Sequence, residues 1–282
     1  MTEETMSDIK VICCDIDGTL VRDDKTLSDE NAKWIHKAVH EKGVHFTLVS
    51  GRPVNGVRPF YKRMGITGPV SCFNGGTLLD ENDRIVDDHR MPHDLAMELF
   101  EIGENMTPDI VIFDGMTWYL RTRDCYCYAQ KKRIYESDCG VGDFRELLGK
   151  FDTNKMIFMS PDKEVLASIL AEIEKKIDKS RYTAYRNADF LEVMPSGYDK
   201  SSAIDALARL FDVDLSQIMA LGDDYNDIPM LKRAGCSVAM ANAVPEAKAA
   251  AKHVTDTNNN DGVAKAIQKF VFGIDDPIQN CH

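Results

Sequence analysis

The apolar run V-I-C-C-D-I-D-G-T-L, residues 11–20, ends in two carboxylates one residue apart, Asp15 and Asp17, followed by Gly18 and Thr19. A second acidic group, G-D-D-Y-N-D over 222–227, follows another apolar run and supplies Asp223, Asp224, Asn226 and Asp227. Between them come Ser50, Gly51 and Arg52 after V-H-F-T-L-V, and Asn74 with two glycines after P-V-S-C-F. Polar residues ordinarily mark the turns at strand ends, and each of these alone has that reading. Together they bring five carboxylates into one place, where close like charges repel and require a positive partner. Oxygen-only ligands select a hard cation, with Mg2+ the best match. Lys200, in P-S-G-Y-D-K-S-S-A-I, opens a helix at the end where the macrodipole disfavours a cation. On a solvated surface that is tolerable; beside a bound anion it becomes useful. With Ser50, backbone amides and Mg2+ it would form a phosphate cradle. The stretch is not a P-loop, because G-x-x-x-x-G-K-[ST] is absent.

These groups need a scaffold that gathers them. Residues 10–16, 44–50 and 69–74 read as buried strands, separated by helices over 28–42, with Ser28 as N-cap, and 53–64, with Pro53 near the first turn. The last third follows the same alternation, with a helix from Lys200 to Phe211, a strand at 217–222, a helix near 226–234, S-V-A-M as a strand, a helix over 245–251, H-V-T as a short strand and a helix over 262–272. This β-α-β order predicts an α/β fold with a Rossmann-like parallel sheet. In such a sheet ligands bind beyond the carboxyl ends of the strands, which is where the polar groups that follow the four core strands fall. The middle differs. Helical stretches at 92–105 and 162–177 alternate with D-I-V-I-F-D, T-W-Y-L-R, N-K-M-I-F-M-S, R-Y-T-A-Y-R and F-L-E-V-M, the mark of an α+β module with an antiparallel sheet. The expectation is a core from residues 1–83 and 194–282, with a second domain inserted over 84–193.

Composition narrows the partners. The 282 residues carry 34 Lys and Arg against 46 Asp and Glu, a net charge of −12. That disfavours nucleic acid and anionic membranes, which reward basic patches, but not a phosphate ligand, since a local cation overrules the global charge. No apolar run approaches the roughly 18 residues of a transmembrane helix, and the acidic N-terminus is unlike a secretory signal. The chain reads as cytoplasmic, its eight cysteines as reduced thiols. Cys13 and Cys14 read as small core residues. Cys125, Cys127 and Cys139 form C-x-C plus one distant cysteine, without the fourth ligand of a structural zinc site. His36 and His40 read as part of a solvated helix face.

The four motifs in this order resemble a haloacid dehalogenase (HAD) superfamily phosphatase of the Cof type, with a large α/β cap inserted after the third core strand. D-I-D-G-T-L resembles its first motif, S-G-R its second, the lysine of S-G-Y-D-K its third and G-D-D-Y-N-D-I-P-M-L its fourth; F-N-G-G, M-A-N-A and T-N-N-N-D-G-V are also similar to Cof-type sequence. The resemblance covers nearly the whole chain. It implies that Asp15 is the nucleophile that becomes an aspartyl-phosphate, and that Asp17 is the general acid and base. Two apart on a strand, both would share a face. The family's pumps carry threonine at the second position and its dehalogenases lack the aspartate, so Asp17 implies a phosphatase or a phosphomutase. Mg2+ would be held by Asp15, the carbonyl of Asp17, and Asp223, with Asp227 and Asn226 in support and Asp224 less directly involved. Lys200 and Mg2+ would neutralise the phosphoryl group, Ser50 and Gly51 would bind phosphate, and Arg52 and Asn74 would line the substrate entrance. Thr19 would orient the loop. The cap would close over the site and select the leaving group, with Tyr185, Arg186 and Asn187 as candidates. The implied activity is Mg2+-dependent hydrolysis of small phosphate monoesters such as sugar phosphates or phosphorylated cofactors. A phosphomutase and a non-catalytic sugar-phosphate sensor are the alternatives. The sequence names neither the substrate nor the oligomeric state.

Overall fold

The computed structural model describes residues 8–135 and 138–274. They divide into two compact units: one from the residues up to Gly51, Val57–Asp87 and the residues from Asp199 onward, the other from Arg52–Gly56 and Asp88–Tyr198. The sequence pattern alone predicts the crossings near 83/84 and 193/194.

In the first unit, β1 (Val11–Cys14), α1 (Asp29–Lys42), β2 (His45–Val49), α2 (Arg58–Met64), β3 (Val70–Cys72), β4 (Thr77–Leu79) and β5 (Ile85–Asp88) begin an eight-stranded sheet. All four residues of β1 are fully buried, as expected for a parallel strand covered on both faces, which therefore reads as an unbroken apolar run. Ser28 caps α1, its side chain accepting from the Asn31 N–H at 3.1 Å. The helix expected over 53–64 is two pieces. Val54–Gly56 is a 3-10 turn, and α2 begins afresh with Pro59 in its first turn, because a proline deeper in a helix would break the hydrogen-bond ladder. The strand expected to reach residue 74 stops at Cys72, since Phe73 and Asn74 take positive φ, 53° and 57°.

The second unit contains α3 (His93–Gly103), β6 (Ile110–Phe113), β7 (Trp118–Leu120), α4 (Tyr126–Tyr135), β8 (Gly140–Val141), α5 (Phe144–Leu148), β9 (Met156–Met159), α6 (Lys163–Lys176), β10 (Tyr182–Arg186) and β11 (Phe190–Pro195). Its six strands run in the order β10-β11-β9-β6-β7-β8, antiparallel at every pairing except β7 with β8. The apolar faces of α3, α5 and α6, among them Leu95, Leu99, Phe144, Leu166 and Ile169, bury one sheet face with Ile110, Phe158 and Leu191. The sequence pattern does not foretell α4, α5, β4, β5 or β8.

The chain then completes the first unit with α7 (Lys200–Phe211), β12 (Ile218–Gly222), α8 (Ile228–Arg233), β13 (Cys236–Ala239), α9 (Pro245–Ala250), β14 (His253–Val254) and α10 (Gly262–Phe272). The sheet order is β14-β13-β12-β1-β2-β3-β4-β5, parallel from β14 through β3, with β4 turned antiparallel to β3. β1 lies between β12 and β2, with Cys14 beside both Leu221 and Leu48. The carboxyl ends of these strands therefore share one rim. Among the described residues no helix is long and apolar enough to cross a membrane.

Candidate active site

Asp15 is the first residue beyond β1. Its N–H still reaches the Leu221 carbonyl at 3.0 Å, so its buried carboxylate is held on the rim by the β12 backbone. The chain then turns at Gly18, φ +85°, where a Cβ would stand 2.2 Å from Asp223 Oδ2. Only glycine meets both demands. Beyond the turn a small hairpin folds back, with bridges of Asp17 to Val21 and of Val21 to Leu27. Asp17 does not share a strand face with Asp15: β1 ends at Cys14, so strand alternation does not extend to it. Its side chain is 39% exposed and sits 2.9 Å from Lys25 Nζ, whereas that of Asp15 is 8% exposed.

Lys200 is the first residue of α7, whose N-cap Asp199 forms a reciprocal capping box with Ser202. Its ammonium, 1% exposed, bridges Asp15 Oδ1 at 2.5 Å and Asp227 Oδ1 at 2.6 Å. Burial alone would lower the lysine pKa; the two carboxylates reverse this and hold it above its ordinary value. Asp227 Oδ2 accepts the N–H groups of Asp223 and Asp224, at 2.8 and 3.0 Å. Both Asp227 oxygens are thus engaged, and the turn after β12 is built around them. Thr19, fully buried, donates to Asp223 Oδ1 at 2.7 Å. The Asp224 side chain caps the 3-10 turn that follows, accepting from the Tyr225 N–H at 2.8 Å.

One ammonium does not balance three carboxylates. Burial, with the neighbouring Asp227 and Asp223, holds Asp15 well above the usual carboxylate range despite Lys200. Burial first, and Asp227 and Asp224 after it, push Asp223 up to about 7. Oxygens of Asp15, Asp223 and Asp227 lie within 4.8 Å of one another. A buried, electron-rich, oxygen-only set short of positive charge fits a hard divalent cation.

The other expected site residues sort by place. Ser50 is buried beyond β2; its N–H donates to the Ser71 carbonyl and its carbonyl accepts from the Asn74 N–H, each at 2.9 Å. Asn74 Oδ1 accepts from Asn226 Nδ2 at 3.1 Å, which ties the F-N-G-G turn to the acidic turn. Gly51 faces the Asn74 side chain, which a Cβ would approach to 3.2 Å. Arg52 belongs to the second unit, buried, with Nη1 donating to the Gly56 carbonyl at 3.4 Å. Tyr185, Arg186 and Asn187 lie at and just past the end of β10, an exposed edge strand of that unit. His36 and His40 each place a ring nitrogen 3.2 Å from a carbonyl at the end of α2, Met64 and Gly65 respectively.

Three supporting residues have no role that the sequence assigns. Lys25 pairs with Asp17. Asn242, from M-A-N-A, donates to the Gly18 carbonyl at 2.8 Å and accepts from the Asn258 N–H at 3.0 Å. Asn258, from T-N-N-N-D-G-V, donates to the Val21 carbonyl and to Asp23 Oδ1, each at 3.0 Å. These two motifs, which carry no chemistry of their own, are thus the clamp on the hairpin that starts at Asp17.

Known proteins share the family pattern and the fold. The pattern of the haloacid dehalogenase-like hydrolases matches residues 12–267. The 5-amino-6-(5-phospho-D-ribitylamino)uracil phosphatase YitU of Bacillus subtilis is 28% identical, over 92% of this chain and 97% of its own. A haloacid dehalogenase-like hydrolase from Bacteroides thetaiotaomicron superposes with a TM-score of 0.84 at 28% identity, over 93% of this chain and 99% of its own. A sugar phosphatase of HAD subclass IIB does so with a TM-score of 0.75 at 25% identity, over 94% of this chain and 99% of its own. The chain belongs to the haloacid dehalogenase-like hydrolases.

Proposed function

We propose that this hydrolase is a Mg2+-dependent phosphatase of small phosphate monoesters, sugar phosphates or phosphorylated cofactors, with Asp15 as its nucleophile. The observation that carries the reading is the buried Lys200 ammonium shared by Asp15 and Asp227 beside Asp223. A structural ion pair needs one carboxylate; a site for a phosphoryl group needs fixed positive charge around a nucleophile.

Asp15 attacks phosphorus with the oxygen not held by Lys200, and the P–O bond to the alcohol breaks. The aspartyl-phosphate so formed divides one difficult displacement into two. Asp17 gives its proton to the departing alkoxide, then takes one from the water that attacks the aspartyl-phosphate and restores Asp15. Its half-exposed position on the hairpin leaves proton exchange with solvent open. Lys200 orients Asp15 and stabilises charge on the phosphoryl oxygens. Asp15, Asp223 and the Asp17 carbonyl would hold the cation, with Asp227 anchoring the lysine and the turn. When bound, Mg2+ would neutralise phosphoryl charge as a Lewis acid. Ser50 and the Asn74–Asn226 pair would supply hydrogen bonds to phosphate or its neighbours.

The test is phosphate release from a panel of sugar phosphates, nucleotides, pyridoxal phosphate and an aryl phosphate, with Mg2+, with EDTA and with Asp15→Asn. Release that needs Mg2+ and vanishes in folded Asp15→Asn supports the assignment. Turnover retained by the variant defeats it.

A further inference from the structure

We propose that the second unit carries a thiolate metal site, selective for a thiophilic four-coordinate ion such as Zn2+, formed by Cys125, Cys127 and Asp109. The ligands come from two elements. Asp109 directly precedes β6; its N–H is fixed by Thr107 Oγ1 at 3.1 Å and its carbonyl by the Met159 N–H at 2.8 Å. Cys127 lies in the first turn of α4, and Cys125 directly precedes that helix. Oδ1 of Asp109 accepts the Cys127 N–H at 2.9 Å, which locks the helix start against the strand start. One ligand atom from each residue falls within 4.8 Å of the others, and the two sulfurs are 3.4 Å apart. Two thiolates on one tetrahedral zinc, at about 2.3 Å each, sit about 3.8 Å apart. The sulfurs need to part by only a few tenths of an ångström.

Charge supplies the second argument. Asp109 is 6% exposed, and among the described residues no cation pairs with it. One turn along α4 from Cys127 is Lys131, also 6% exposed, its ammonium over the rings of Phe190 and Tyr135 at 5.0 and 5.7 Å, with no carboxylate of the described residues within ion-pair distance. The nearby Glu192 is taken by Lys155 at 2.6 Å. A buried carboxylate and a buried ammonium are costly where no counter-charge is in contact, and among the described residues Lys131 feels Glu192 and Asp189 only at longer range. Binding resolves both: a divalent ion with two thiolates and one carboxylate carries a charge of −1, which the Lys131 ammonium neutralises. The two thiols, protonated because burial pushes them up, release two protons to solvent as the two metal–sulfur bonds form. Three protein ligands leave the fourth position open, and the partly exposed Cys125 provides the route in.

The set is distinct in kind from Asp15, Asp223 and Asp227, whose oxygen-only donors suit Mg2+. The test uses full-length, reduced, metal-free protein titrated with Co2+. A carboxylate site cannot give a sulfur-to-cobalt charge-transfer band. The expected result is a near-ultraviolet band that saturates near one equivalent, survives Asp15→Asn, resists excess Mg2+ and collapses on addition of Zn2+. Cys125→Ser should abolish it, and Asp109→Asn should weaken the affinity at least ~10-fold, as loss of supporting carboxylates does at metal sites. Cys125 is partly exposed, so its serine variant decides the matter even where Cys127→Ser fails to fold. No band in folded, fully reduced protein overturns the proposal, and so does a band that persists undiminished in Cys125→Ser.

Discussion

Replacing Lys200 with methionine keeps a long unbranched side chain and removes its charge. The native cluster sets three carboxylates, Asp15, Asp223 and Asp227, around one ammonium that is 1% exposed. In Lys200→Met the Oδ1 atoms of Asp15 and Asp227, formerly 2.5 and 2.6 Å from Nζ, face an apolar chain. Removing one partner of a buried pair costs about 3–5 kcal/mol, and here two carboxylates lose theirs. A proton on either can substitute for the ammonium, so the loss measured by urea denaturation without metal should be smaller at pH 5.5 than at pH 8. Lys200→Met with Asp227→Asn removes one negative charge as well. It should recover roughly 1–3 kcal/mol, the usual coupling between contacting groups, while phosphate release stays abolished. That split separates charge balance from catalysis. A single variant within about 1 kcal/mol of the parent at pH 8, below the cost expected for an orphaned buried charge, refutes the view that this ammonium holds the cluster. A double variant no more stable than the single one places the cost in packing instead.

Asp17→Asn should slow hydrolysis of alkyl phosphates by about 10²–10⁴-fold, and an aryl phosphate by clearly less, because a phenolate leaves without much help; equal losses on both would remove Asp17 from the role of general acid. Because Asp223 is raised to about 7 in the metal-free protein, the folded state binds more protons than the unfolded one between about pH 4 and 7, and stability from this group falls across that window as pH rises. A divalent ion replaces those protons, so added Mg2+ should raise the melting temperature more at pH 8 than at pH 5.5, and a shift independent of pH would count against the carboxylate site. Lys131, pushed down to about 8 mainly by burial and next by Lys155, makes the opposite prediction. Between pH 8 and 10.5 its unfolded form holds more protons, so stability rises with pH. That depression is worth roughly 3 kcal/mol, against which the ring faces return up to about 2 kcal/mol. Metal-free Lys131→Met should therefore gain about 1–3 kcal/mol at pH 7 and lose the alkaline rise; a destabilised variant would show that the ammonium is well solvated.

The sheet and the groups on its rim are legible in the sequence because a periodic element fixes both. Val11–Cys14 and Ile218–Gly222 are fully buried, so they read as apolar runs, and the first polar residues after them have to fall at the carboxyl edge. Lys200 is legible for a different reason: a cation at a helix start contradicts the macrodipole, and such a contradiction asks for a partner. The Asn242 and Asn258 clamp has no such signal. Side-chain amides that reach 224 and 237 residues back along the chain follow no period, and asparagine in a loop looks the same whether it braces a hairpin or faces water. The helix α4 is hidden because Y-C-Y-A-Q-K-K-R-I-Y has no continuous apolar stripe, and α5 because five residues are too few to display one.

The same reasoning explains why the Asp109 site lies outside the reach of spacing rules. C-x-C asks for further ligands, and the sequence offers Cys139 as the next cysteine. Cys139 is instead tied to the Arg123 and Asp138 corner: its carbonyl accepts from Arg123 at 3.0 Å and its N–H donates to Asp138 at 2.9 Å. The third ligand comes from the start of a strand 16 residues before Cys125, brought in by the antiparallel pairing of β6 with β9 and β7. Ligand spacing along the chain is informative when one hairpin supplies every ligand. When a strand start and a helix start meet, only the tertiary fold decides which carboxylate faces the thiols. In this chain it brings one that no cation of the described residues pairs with.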